Sequence, residues 1–204
     1  MNKYLTEFIG TMFFVAAVGL AGGEHAVLII ASALMVMIYA GGHVSGAHYN
    51  PAVTLAVWMR GKIEMKDAIA YWIAQFAGAV LAGLLVNYLK GTPEGDGMEI
   101  TETTKGIICE LLGTFALAYV VLNVATAKGT NGNSFYGLAI GFTVFAMGSI
   151  FGQYTGGALN PAVAIGAWVM KLFAIGTIWV YFVGCLAGAA LAAIIFSFIN
   201  PNDK

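Results

Sequence analysis

Asn50-Pro51-Ala52 and Asn160-Pro161-Ala162 are one triplet written twice, 110 residues apart, and each follows a small-residue segment, Ser45-Gly46-Ala47-His48-Tyr49 and Thr155-Gly156-Gly157-Ala158-Leu159. Asparagine is a good helix N-cap, because its side-chain oxygen accepts an N–H of the first turn. Proline suits the position after it, where its missing N–H had no intrahelical partner. Each triplet therefore predicts a helix that starts at the proline, with the asparagine NH₂ left free to donate. Two such starts brought together would place two positive dipole ends at one point, which orients water as an acceptor and opposes cations and protons. That is chemistry for recognising a neutral polar molecule. Other reactive types offer less. His43 and His48, five apart, have no obvious third ligand for a metal; a pore-facing or loop-fixing histidine fits better, and a pH gate stays open. Cys109 and Cys185 form no short-spaced pair and have no neighbouring histidine, so a disulfide framework, a zinc site and a nucleophilic enzyme are all poorly supported.

The elements that must hold the triplets are membrane spans. Only 9% of the 204 residues are charged and 60% are hydrophobic, against about 25% charged in an ordinary soluble domain. The net charge of −1 offers no basic field for nucleic acid. Lys, Arg, Asp and Glu are absent from 8–23, 25–59, 68–89, 111–127, 129–170 and 172–202. A spanning helix takes about 20 residues. The 35- and 42-residue runs, each interrupted by Asn-Pro, then read as one span plus one re-entrant half-span apiece, and the last run as one long span. The expected architecture is all-α: spans near 5–21, 27–42, 67–89, 106–126, 135–151 and 172–199, with half-helices near 50–59 and 160–169. The first run follows a lone Lys3, but Glu7 would sit badly in a signal peptide.

An internal repeat organises these spans. At the offset of 110, Trp58 aligns with Trp168, Tyr71 with Tyr181 and Gly78 with Gly188, while Glu7-x-x-Gly10-Thr11 aligns with Glu110-x-x-Gly113-Thr114 at 103. Three spans per half force the second half to enter from the opposite side, so the repeat is inverted. The chain divides into a first repeat (1–90), a polar, acidic connecting loop (91–105) expected to be solvated, and a second repeat (106–204), together one channel-sized domain. Lys3, Arg60, Lys62, Lys66, Lys128 and Lys204 fall on one side and Lys90, Lys105 and Lys171 on the other, which predicts cytoplasmic termini. Short loops point to a bacterial or archaeal inner membrane. The rows Ala74, Gly78, Ala82 and Gly184, Gly188, Ala192 read as close helix contacts, and Trp58 and Trp168 as packing anchors.

The doubled Asn-Pro-Ala, the Glu-x-x-Gly-Thr of each half and the run from Gly42 to Thr54 resemble the aquaporins, or major intrinsic proteins, over nearly the whole chain from Glu7 to Ala193. The resemblance implies a right-handed bundle of six helices, a pore through each monomer, a homotetramer in membrane lipid, no cofactor, and passive flow of water or small neutral solutes. It also implies that Glu7 and Glu110, ionisable groups inside spans and so functional candidates by default, accept hydrogen bonds from the re-entrant segments, with His43 among their supports.

One position departs from the family pattern. Where aquaporins usually carry an arginine, three residues after the second asparagine, this chain has Val163. The other constriction positions carried over from the family are Ile30, Gly148 and Gly157, none aromatic or charged. The resemblance thus implies a wider, less polar filter, similar to that of some plant vacuolar members, unless Tyr154, Phe151 or Tyr39 swings in to narrow it. The rival reading is an ion-coupled secondary transporter, which also uses broken helices in inverted repeats but would carry ionisable coupling groups in the broken regions. A tetrameric scaffold with a blocked pore is the other.

Overall fold

The computed structural model describes residues 1–203; Lys204, counted above among the cytoplasmic charges, lies outside them. Eight α-helices follow one another: α1 (Asn2–Leu20), α2 (Ala26–Ser45), α3 (Pro51–Met59), α4 (Met65–Lys90), α5 (Thr103–Val121), α6 (Tyr136–Thr155), α7 (Pro161–Val169) and α8 (Ile178–Ile199). A π-turn, Leu122–Thr126, prolongs α5, and a short 3₁₀ turn, Ile175–Thr177, precedes α8. Six of these segments are long and apolar enough to cross a membrane. The two half-helices have nine residues each, about 14 Å at 1.5 Å per residue, which is half of a ~30 Å hydrocarbon core.

α2 and α6 each run several residues further than the sequence predicts, to Ser45 and Thr155. Both end on a left-handed glycine, Gly46 (φ +84°) and Gly156 (φ +77°), whose N–H reaches back to the carbonyl of Gly42 or Gly152. Glycine takes this conformation without a Cβ clash. His43 therefore lies on the last turn of α2, not on a loop.

Lipid gives helices no hydrophobic reason to associate, so close backbone approach has to supply the contact. The glycine rows do this. A Cβ on Gly78 of α4 would stand 2.5 Å from the Phe8 carbonyl oxygen of α1, and one on Gly184 of α8 2.9 Å from that of Ile107 in α5. A Cβ on Gly188 would collide with the Leu111 carbonyl oxygen. Backbone cannot give way as a side-chain tip can. Gly188→Ala is therefore expected to lower stability by ~1–3 kcal/mol, whereas Gly22→Ala, with open space around it, should leave the unfolding temperature unchanged in the same detergent.

Two expectations need correction. The segment between the repeats is only partly solvated: Ile100 is buried, and Met98 pairs its main chain with the loop after α7 (Met98 N–H to Leu172 O, 2.8 Å; Ala174 N–H to Met98 O, 3.0 Å). Met98 and Ile100 are apolar residues in a polar stretch, and they dock it. Trp168 is no packing anchor, since it is 40% exposed, whereas Trp58 is half-buried.

The end that carries Lys3 is tied by charge. Asp67 accepts from Lys3 (2.7 Å) and Tyr4 (2.6 Å), and Asp203 accepts from Arg60 (2.6 Å) and the Lys128 N–H (2.8 Å). That N–H, with the Arg60 charge beside it, holds the Asp203 carboxyl below its ordinary pKa. At the opposite end Lys90 caps the carbonyl of Gly19 (2.9 Å).

Candidate pore site

α3 and α7 begin as the sequence predicts. Asn50 Oδ1 accepts from the Ala52 N–H (2.8 Å), and Asn160 Oδ1 from those of Ala162 (2.8 Å) and Val163 (3.4 Å), with proline at the first helical position of both. The amides are not wholly free, however. Asn50 Nδ2 donates to the Leu159 carbonyl and Asn160 Nδ2 to the Tyr49 carbonyl, each at 2.9 Å. Every asparagine thus caps its own helix and ties itself to the residue before the other asparagine. An amide carries two donors, so one N–H per asparagine is left for the lumen.

Those two carbonyls point across because Tyr49 and Leu159 stand at positive φ, +49° and +51°. For non-glycine residues that conformation costs ~1–2 kcal/mol each. It survives where the surroundings over-determine it, and here the two buried glutamates do so. Glu7 Oε1 accepts from Ser45 Oγ (2.7 Å) and the His48 N–H (2.9 Å), and Oε2 from the Tyr49 N–H (2.7 Å) and Gln75 Nε2 (2.8 Å). Glu110 repeats the pattern: Oε1 accepts from Thr155 Oγ1 (2.6 Å) and the Ala158 N–H (3.1 Å), Oε2 from the Leu159 N–H (2.7 Å) and Cys185 Sγ (3.3 Å). Tyr71 and Tyr181 close each network by donating to the carbonyls of Ser45 (2.6 Å) and Thr155 (2.7 Å). Bonds to charged acceptors contribute about 1.5–3 kcal/mol each, enough to offset the strained residue.

Several of these residues escape a reading by type alone. Tyr71 and Tyr181 align in the repeat, and Gln75 and Cys185 also stand 110 apart; the offset was the available signal. His43 needs correction as a support. It is exposed and has no hydrogen-bond partner among the described residues, whereas His48 Nδ1 lies 3.1 Å from Thr54 Oγ1, which also accepts from Gln75 Nε2 at 3.0 Å. His48 and Thr54 align with Ala158 and Ala164, so this polar extension exists on one side of the midplane alone.

Between the half-helix starts lies a cavity of about 20 Å³, room for roughly one water. Its wall is largely aliphatic, with Leu34, Ile38, Leu117, Ile140 and Val144 facing the two asparagines and the loop backbone. It shares Gly46 and His48 with a vestibule of about 370 Å³ reaching Lys62 and Thr126, which adjoins a space of about 790 Å³ bordered by His43 and Lys128. The π-turn of α5 contributes Ala125 and Thr126 to both.

The carried-over constriction positions are only partly brought together. Gly157, at φ +65°, lays its backbone on α6: a Cβ there would stand 3.2 Å from Gly152 Cα and 3.4 Å from Gly148 Cα. Part of the room freed by these glycines is taken up by main chain. A Cβ on Gly148 would stand 3.1 Å from Val27 Cγ1, Ile30 is half-buried against the core, and Val163 is buried on the first turn of α7. Tyr39 belongs to the opposite end, where its hydroxyl bonds Ser134 O and the Leu138 N–H; Tyr154 is 53% exposed and Phe151 lies beside Gly113.

Comparison with known proteins agrees with this geometry. Residues 1–196 match the family described as MIP, Major intrinsic protein. A probable aquaporin TIP2-2 of Oryza sativa subsp. japonica is 35% identical over 98% of this chain and 87% of its own length. A glycerol uptake facilitator protein-like 6 of Lactiplantibacillus plantarum is 36% identical over the whole of both chains. In fold, the X-ray structure of the aquaglyceroporin from Plasmodium falciparum superposes with a TM-score of 0.84 at 24% identity, covering 98% of this chain and 97% of that one. With a family match over almost its full length and relatives above 30% identity, this chain belongs to the major intrinsic protein family, whose members are membrane channels and not enzymes.

Proposed function

We propose that the chain is a passive channel that conducts water and also small uncharged solutes such as glycerol, urea and ammonia, while excluding ions and protons. The observation that carries this reading is the crosswise pair of asparagines beside a cavity with room for roughly one water. The remaining N–H of each, backed by a half-helix dipole, donates to a passing oxygen, while the aliphatic wall offers no second partner. A cation there meets two positive helix ends and has lost its hydration shell. The pore motif is Asn50, Pro51, Ala52, Asn160, Pro161 and Ala162. The selectivity filter is Ile30, Gly148, Gly157 and Val163, wide and without a charged donor. The chain works as a homotetramer of single-domain protomers in a cell membrane, both termini cytoplasmic, and the two inverted repeats meet at the asparagines. Relatives named as an aquaporin and as a glycerol facilitator stand at nearly equal identity, which supports a mixed solute range.

Stopped-flow light scattering of proteoliposomes tests the reading. Water flux is expected well above that of empty liposomes, with glycerol or urea also accelerated and no proton current. Water flux no faster than in empty liposomes overturns the channel; a large proton current overturns the barrier. Asn50→Asp or Asn160→Asp should raise cation leak, since a carboxylate between two positive dipole ends cancels part of their repulsion. Unchanged leak in a folded mutant would mean that the dipoles are not the barrier.

A further inference from the structure

A second cavity lies on the outer side of the half-helices, away from the lumen. Its volume is about 240 Å³ and no polar atom is exposed on its wall. Pro51 and Pro161 form its floor, and Trp72, Phe76, Phe182 and Leu186 its sides. Leu55 completes the lining, and the other six residues are three pairs of the internal repeat at the offset of 110: Pro51 with Pro161, Trp72 with Phe182, Phe76 with Leu186. The cleft therefore straddles the axis that relates the two halves. Phe76 of α4 and Phe182 of α8 stack across it, 5.9 Å between centroids and 8° from parallel, and Trp72 Nε1 donates to the Pro51 carbonyl at 3.0 Å.

Depth and surroundings identify the occupant. Both prolines start nine-residue half-helices that each cover about half the hydrocarbon thickness, so the floor stands at the middle of the bilayer. Water and headgroups do not reach that depth; the ends of acyl chains do. On the same two spans that wall the cleft, Ile73 and Val80 of α4 and Val183 of α8 are exposed and apolar, the surface that such spans turn to lipid. A cavity without polar lining gives no purchase to a polar solute. We propose that this cleft binds the terminal segment of a lipid acyl chain, which rests on the backs of the two prolines whose asparagine neighbours face the pore. The wall is shaped by rigid rings, so it favours a slim, flexible hydrocarbon over a helix of a second copy.

Tryptophan fluorescence tests this directly. A variant with Trp58, Trp168 and Trp179 changed to Phe retains Trp72 alone, and is reconstituted in phosphatidylcholine brominated either near the chain end or near the headgroup. Chain-end bromine is expected to quench Trp72 more strongly than headgroup-proximal bromine. Leu186→Phe, which fills the cleft mouth, should abolish that excess while leaving water flux intact. If the triple variant does not fold, the same excess is read as the difference between the natural chain and Trp72→Phe. Equal quenching by both lipids, a preference for the shallow bromine, or an excess that survives Leu186→Phe overturns the proposal. Trp72 shielded from both lipids also overturns it and assigns the cleft to a neighbouring copy.

Discussion

Glu110→Ala is expected to abolish flux for every solute and to be among the most destabilising single changes in the chain. The carboxylate accepts from two backbone N–H groups, a threonine hydroxyl and a thiol, and Glu110 is fully buried. Alanine leaves the buried Ala158 and Leu159 N–H groups without their acceptor, at about 1–3 kcal/mol apiece. It also removes the bond from the Leu159 N–H that helps to hold this residue in its left-handed conformation. Once Leu159 relaxes, its carbonyl turns away from Asn50 Nδ2, and the first half-helix loses its tie to the second. The sum is a large part of the ~5–15 kcal/mol that stabilises a typical domain. Glu110→Gln separates fold from charge: it keeps the shape and one acceptor oxygen but turns the other into a donor facing donors, so it should fold in part and conduct poorly. Thermal unfolding in detergent and water flux in liposomes read the two effects. Glu110→Ala with natural flux would show that the loop holds itself.

Val163→Arg should reverse the proposed solute range. It is expected to cut glycerol and urea flux by about tenfold or more, an added barrier of ~1.4 kcal/mol or above, while water flux falls far less. In the proposed filter, valine leaves room that a guanidinium would fill, and it supplies no donor. The arginine must find acceptors, for which the carbonyls of Gly156 and Gly157 in the loop before Asn160 are the candidates; an unpaired buried guanidinium would cost several kcal/mol. Val163 is only 3% exposed, so the longer chain has to run outward into the pore, and the oligomer is checked before flux is read. If the natural chain already excludes glycerol and urea while passing water, the wide filter is wrong. The Gly157 backbone lying on Gly148 and Gly152 is then the structural reason, since it closes the room expected from Gly148 and Gly157 in the sequence.

How much of this could be read without coordinates follows from the range of each interaction. The half-helix starts are local: Asn-Pro carries its own cap and its own helix geometry, so Asn50 and Asn160 could be placed from a few residues. The spans follow from the absence of charge over a bilayer's thickness, and the inversion from two aligned triplets separated by an odd number of spans. The glycine rows were legible too, because helix contact in lipid leaves a period in the sequence. Helix ends at Gly46 and Gly156 were misjudged by three or four residues, since a left-handed glycine stops a helix only where the chain beyond it has somewhere to go. His43 and His48 show the limit most plainly. They are alike in type and neighbourhood, yet His43 is exposed beside the larger outer space and His48 meets Thr54, and the choice rests on a helix end and on Gln75 from another span. The crossed bonds of Asn50 to Leu159 and Asn160 to Tyr49, the docking of Met98 over the second loop and the packing of Gly157 on α6 all join residues far apart in the chain. The sequence determined which groups were present and predicts that the two halves enter the membrane from opposite sides; tertiary structure decided which groups meet, because a hydrogen bond or a backbone contact depends on positions to within a fraction of an ångström that only the assembled bundle sets.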